Sequence, residues 1–240
     1  MLFDIITLFP EMFPEYIHQS IIKRAQEKGL VNIRIHNLRD FTLDKHRKVD
    51  DVPYGGGPGM VLMAEPLHSA ITYLSKEDLP VKRILLSPQG RLFSQKIAEE
   101  LSKETHLLLV CGHYEGLDQR IRDSVIDDEI SIGDYILTGG ELPALVVLDS
   151  VTRLIPGVLG SEESLHCESF LDSLLDYPQY TRPEIFNTMQ VPKVLVSGHH
   201  EKIRKWRRKQ SLIRTSQKRP DLFQKIKMTD EDIELLKDSS

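Results

Sequence analysis

The apolar positions of the first 160 residues fall into short runs separated by stretches of helical period. Phe3–Leu8 is apolar except at Asp4 and Thr7 and reads as a buried strand. Phe13–Lys28 reads as a helix closed by Gly29, a residue free to take the left-handed conformation that ends helices. Val31, Ile33 and Ile35 alternate with Asn32, Arg34 and His36, the period of a strand buried on one side, over Val31–Leu38. Pro66–Leu74 predicts a helix opened by its proline. Strands are expected at Arg83–Leu86, His106–Cys111 and Ser124–Ile126, and helices at Ser94–Ser102 and Leu142–Leu154. Strands separated by helices predict an α/β domain with a mainly parallel sheet over residues 1–160.

The pattern then changes. Residues 161–176 are polar, acidic and weakly periodic, and read as an interdomain linker, since loops of this length are usually functional or disordered. Residues 177–240 predict a small helical domain. After Gly198, Ile203, Trp206, Gln210 and Ile213 share one helix face, with basic side chains over much of the rest. Pro220 is expected to end that helix, and Thr229 with Asp232 resembles the capping box that starts another.

Composition narrows the class. With 40% hydrophobic and 28% charged residues over 240 positions, the chain can bury a core without disulfides or a structural metal. The two cysteines, Cys111 and Cys167, form no C-x-x-C pair and read as reduced thiols. The nine histidines show no metal-ligand spacing, so no metal site is expected. The N-terminus lacks the basic start of a signal peptide, and no apolar run suits a membrane span, which points to the cytoplasm. The net charge of −5 argues against a polyanion partner, but its distribution reverses that. Residues 199–227 carry eleven Lys/Arg against Glu201 and Asp221, a local charge of +9 that leaves −14 on the remainder. One basic end on an acidic body is the signature of a local polyanion site.

Three glycine-rich segments are candidates for chemistry. Pro53–Met60 holds four glycines in five positions but is neither a P-loop nor a G-x-G-x-x-G motif; it reads as a loop facing a ligand. Val110–Gly116 follows an apolar strand, where α/β sheets bind ligands. Tyr114 offers a stacking face there and Glu115 an acceptor, although a plain strand-to-helix turn fits the same residues. Ser131–Pro143 places three glycines among apolar residues, exposing backbone groups that an adenine could satisfy. Arg153 and the acids Glu168, Asp172 and Asp176 could serve a methyl transfer to a guanine nitrogen, the carboxylate as base and the arginine as charge stabiliser. By themselves these four read better as a solvated acidic loop and an arginine matched to its helix terminus.

Taken in order, Leu8–Phe13, Tyr54–Gly59, Ser87–Gly90, Cys111–Gly116, Ser131–Gly140, Tyr180–Pro183 and Ser197–Ile203 resemble the bacterial tRNA (guanine-N1)-methyltransferase family, from the N-terminus to about residue 225. The resemblance implies a SPOUT-type parallel sheet with a deep trefoil knot, plus the small C-terminal helical domain. It implies a homodimer acting on N1 of guanine 37 of tRNA, with S-adenosyl-L-methionine as methyl donor and Mg²⁺ as a compatible addition. The implied donor-binding positions are Leu86, Ser87, Pro88, Gly112, Tyr114, Glu115, Gly116, Ile132, Gly133, Asp134, Tyr135, Ile136, Leu137, Gly139 and Gly140. Pro58, Gly59, Arg204, Arg207 and Arg208 are the implied RNA contacts, and Arg153 matches the family's arginine beside the target base. The family's general base is an aspartate before a Ser-Phe pair. Here Glu168 precedes Ser169-Phe170, keeping the carboxylate with one methylene more, and Asp176 matches a second family acid. A non-catalytic RNA-binding protein with the same pocket, and a methyltransferase for ribosomal RNA, are the alternatives.

Overall fold

The computed structural model describes residues 1–76, 79–160, 169–170 and 173–237. The chain divides into two compact units, 1–160 and 161–240.

The first unit is built on five parallel strands: β1 (Leu2–Thr7), β2 (Asn32–Asn37), β5 (Val81–Leu92), β6 (His106–Cys111) and β7 (Asp128–Ser131), in the order β2-β1-β6-β5-β7. A short antiparallel pair, β3 (Asp50–Asp51) and β4 (Val61–Leu62), lies apart from it. β1 and β6 are buried at every residue because the sheet is covered on both faces. Phe3, Ile5, Ile84, Leu86, Leu107 and Leu109 pack on one face with α2 (Ser20–Glu27), α4 (Gln95–Leu101) and α6 (Glu141–Thr152). Ile6, Leu85, Leu108 and Val110 point the other way, toward α3 (Ala64–Leu74) and α5 (Gln119–Val125).

One charged cluster is buried on that second face. Asp4 of β1 is fully buried and accepts bonds from Arg34 Nε (2.7 Å) and His36 Nε2 (2.6 Å) of β2, and from His106 Nε2 (2.8 Å) of β6. Burial pushes the Asp4 carboxyl up, but His36 and Arg34 outweigh it and hold the group at about 2. This explains the acid that interrupts the apolar run Phe3–Leu8.

Several local expectations are corrected. The helix expected over Phe13–Lys28 is two, α1 (Pro14–Ile17) and α2, broken where Ser20 takes a φ of 47°. Gly29 does close α2, at φ 69°. Ser124–Ile126 is not a strand: Ser124 and Val125 end α5, and the strand follows at Asp128. Three apolar-looking residues cannot separate a last helical turn from a short strand. β5 outruns its expected end at Leu86. Leu86 and Arg91 both pair with Ile130, so Ser87–Gly90 leave the ladder and swing out from the sheet.

The second unit holds a hairpin, β8 (Ile185–Phe186) and β9 (Met189–Gln190), whose turn residues Asn187 and Thr188 both have positive φ as a tight hairpin demands. The helices α7 (His200–Lys218), α8 (Pro220–Phe223) and α9 (Asp230–Lys237) follow, so Pro220 begins a helix as well as ending one. Thr229 and Asp232 form the reciprocal capping box, each backbone N–H bonded to the other's side chain at 3.1 Å. The fully buried face of α7 is Ser211, Leu212 and Thr215, while Ile203, Trp206, Gln210 and Ile213 are half-buried. Hydrophobic periodicity misses this because Thr215 is buried by hydrogen bonding: its hydroxyl donates to Ser211 O and accepts from Leu175 N.

Candidate functional site

The excursion of Ser87–Gly90 opens a cavity of about 300 Å³ at the carboxyl ends of β5, β6 and β7. Parallel strands place their final residues on one edge, and the loops leaving that edge form its walls. Ser87 and Pro88 enter from β5, Gly112–Gly116 from β6, and Ile132–Gly140 from β7. Of the fifteen expected donor positions, all but Asp134 line this cavity.

Close backbone approach requires two of the glycines. A Cβ on Gly140 would lie 2.7 Å from Cys111 Cα and 2.8 Å from Gly112 N, while Gly140 N donates to Gly112 O at 2.8 Å. A Cβ on Gly90 would lie 2.4 Å from the Ile130 backbone nitrogen. The loops from β5 and β7 are thus seated directly against neighbouring backbone.

Residues not singled out as individual site positions also line the cavity. His113 lies between Phe9, tilted to it at 5.0 Å, and Tyr114, edge-on at 4.7 Å between ring centroids, and its buried Nδ1 has no hydrogen-bond partner. Tyr114 itself takes a φ of 57°, strained for a residue with a Cβ. Arg122 of α5 donates to Gln89 and pairs with Glu129 at 3.2 Å, tying the β5 excursion to β7. Only contact across the sheet distinguishes Arg122 from the other charges of its helix. Glu141, buried at the first turn of α6, accepts from the Thr7 hydroxyl at 2.7 Å. Burial, with the Glu141 charge, pushes the Cys111 thiol well up, so Cys111 is an inert thiol. Among the described residues, no group of three or more His, Cys, Asp or Glu is arranged to hold a metal ion.

The Pro53–Met60 loop does not line the cavity. It packs behind the cavity's wall: Glu115 N donates to Met60 O at 3.1 Å, Leu62 N to Gly116 O at 2.9 Å, and Gly59 lies against the Glu115 side chain. Gly55 and Gly56, with φ of 87° and 77°, and the exposed Pro58 face outward.

The expected catalytic residues fall in different parts of the chain. Glu168 and Asp172 lie outside the described residues. Arg153 ends α6, twelve residues beyond the helix start at the cavity, which amounts to about 18 Å of helix. Asp176 belongs to the second unit, where its carboxylate accepts from Tyr177 N (2.7 Å) and Gln179 Nε2 (3.3 Å). The expected RNA contacts on α7 have structural partners. Arg204 pairs with Glu201 and Glu231, and Arg208 binds the buried Asp232 through two bonds of 2.7 and 2.9 Å. Arg208 holds the Asp232 carboxyl at about 2. The Arg207 guanidinium stacks on Tyr177, 4.8 Å from the ring centre.

The sequence profile of the tRNA (guanine-1)-methyltransferase TrmD family matches residues 1–225. The chain belongs to this family. A tRNA (guanine-N(1)-)-methyltransferase of Dictyoglomus turgidum is 60% identical over 98% of this chain and 95% of its own length. Those of Halalkalibacterium halodurans and Clostridium perfringens are 55% and 57% identical, over 98% and 99% of this chain and 96% and 99% of their own. The tRNA (guanine-1)-methyltransferase family match therefore spans both units, the glycine-lined cavity and the basic helix α7 together.

Proposed function

We propose that this chain transfers the methyl group of S-adenosyl-L-methionine to N1 of guanine 37 of tRNA. The observation that carries this reading is the cavity at the ends of β5, β6 and β7, walled by fourteen of the fifteen family donor positions, in a chain of this family. Its residues suit that donor. Loops crowded against backbone at Gly140 and Gly90 offer main-chain groups to an adenine, the orphaned His113 Nδ1 offers one more polar partner, and Glu115 offers a carboxylate to an ammonium group. When bound, the donor supplies an electrophilic methyl group.

The protein's own work is to orient guanine and take the N1 proton as the ring nitrogen attacks. Glu168 is the proposed base and Arg153 the group that stabilises negative charge on the ring. Asp176 is the second candidate base; Tyr177 N and Gln179 hold its carboxylate through one bond to each oxygen and leave lone pairs free for a proton.

Residues 1–160 then form the donor-binding domain, 161–176 the linker and 177–240 the tRNA-binding domain. The SPOUT trefoil knot is part of the same reading, in which the β7 loop seats Gly140 on the β6 loop at Gly112. A homodimer is supported by two features. Arg153 lies a helix length from the cavity of its own chain, and in this reading a second copy brings its arginine there. The exposed apolar residues Met12, Leu142 and Val146, with Tyr16 bonded to Asp149, form a face on and beside α6 suited to that copy. Among the described residues no helix is long and apolar enough to cross a membrane; the reading places the enzyme in the cytoplasm with its tRNA. Any Mg²⁺ would act through the RNA or the catalytic acids.

The test is nucleoside analysis of tRNA after incubation with methyl-labelled donor, run with and without Mg²⁺. Label in 1-methylguanosine at position 37 is expected. Binding of donor and tRNA without transfer would instead support a non-catalytic RNA-binding protein.

A further inference from the structure

The second unit contains a groove that the methyl-transfer reading does not use. It encloses about 570 Å³ between residues 177–184 and the first half of α7. It shares no residue with the donor cavity. Its volume is within the range of about 300–1,000 Å³ typical of small-molecule sites.

The lining combines ring faces with cations. Tyr177, Tyr180 and Arg182 line it together with Ile203 and Arg207 of α7. Tyr180 is held in orientation by Trp206, their centroids 6.4 Å apart at 52°, yet keeps 50% of its surface open. A fixed, half-open aromatic ring costs little entropy to use and presents a face for stacking. The Arg207 guanidinium already stacks on Tyr177, so cation and ring are prearranged side by side. The one lining acid, Glu184, is engaged by Gln190 Nε2 at 3.3 Å, and the groove opens on the segment of charge +9.

We propose that this groove holds one unpaired nucleotide of the RNA substrate, its base stacked on Tyr180 and its phosphate beside Arg207 and Arg182. Aromatic faces flanked by guanidinium groups recognise unstacked bases, whereas bases within a stem hide their faces. The inference rests on the tRNA reading above and adds to phosphate contact along α7 a site that distinguishes unpaired from paired RNA.

The experiment uses the full chain with unmodified tRNA transcript, and compares Tyr180→Leu, which keeps apolar bulk, with Tyr180→Phe, which keeps the ring. Tyr180→Leu should raise the Kd and KM for tRNA about tenfold, the scale of losing one base–aromatic stack, without lowering kcat. The slope of log K against log salt should not change, because stacking releases no counterions. Tyr180→Phe should bind like the parent. Parent-level tRNA affinity in Tyr180→Leu, with tRNA still bound and methylated, would overturn this inference alone. A shift of oligomeric state in Tyr180→Leu at unchanged tRNA affinity would make the groove a protein contact and overturn it too. A parent chain that binds no tRNA would overturn both readings.

Discussion

Replacing Asp4 by Asn tests how much the buried charge cluster contributes to the sheet that carries the donor cavity. Asparagine keeps the shape of the carboxyl and stands in for its protonated form. The Asp4 carboxyl is held at about 2, against an ordinary 3.8, with burial opposing and the His36 and Arg34 bonds prevailing. That difference corresponds to about 2 kcal/mol of folding stability at neutral pH. The sign follows from a folded value below the unfolded one. The contribution is complete above the unfolded value and is lost as pH falls through 3.8 toward about 2. Asp4→Asn should therefore be less stable by about 2 kcal/mol at pH 7, and the gap should close between pH 4 and 2. Urea unfolding followed by circular dichroism is the suitable assay, since the single tryptophan, Trp206, reports only on the second unit. Donor affinity should hold, because Asp4 lies mid-strand and the cavity is at the strand ends. A gap under about 1 kcal/mol at pH 7, or one constant down to pH 3, would refute the linkage.

Three further outcomes are expected. Gly140→Ala forces a methyl group to within 3 Å of the Cys111 and Gly112 backbone and should abolish donor binding by calorimetry. Mixing it with Arg153→Ala should restore part of the activity if each site draws on two copies, and no recovery would place the arginine in its own chain's site. Lys202→Ala with Lys205→Ala should flatten the salt dependence of tRNA binding, whereas Arg208→Ala should lower the melting temperature by unpairing Asp232; the opposite pattern would make Arg208 the RNA contact. Glu168→Gln should slow methyl transfer by about 10²–10⁴-fold with binding intact, and Glu168→Asp should keep or raise the rate. Full rate in Glu168→Gln with a dead Asp176→Asn would make Asp176 the base.

Local pattern was enough for the elements whose burial is apolar. β1, β6 and α6 are legible as runs because both sides of the sheet are covered and most inward positions are hydrophobic. Two of the three glycine clusters, Val110–Gly116 and Ser131–Pro143, marked the cavity for a related reason, since close backbone approach leaves a residue type with no substitute. The order of motifs then led to the family, and through it to fourteen cavity positions that spacing could not have assembled. What the tertiary structure alone decided depends on partners far apart in sequence. Asp4 stays charged in the core because strands β2 and β6 bring Arg34, His36 and His106 to it. The β5 excursion exists because Leu86 and Arg91 meet the same residue of β7. Arg204 and Arg208 stand in a basic run, and only the fold shows that α9 pairs them with Glu231 and Asp232. A charge in sequence has a sign but no neighbour, and the neighbour decides whether it meets solvent, a phosphate or a buried acid.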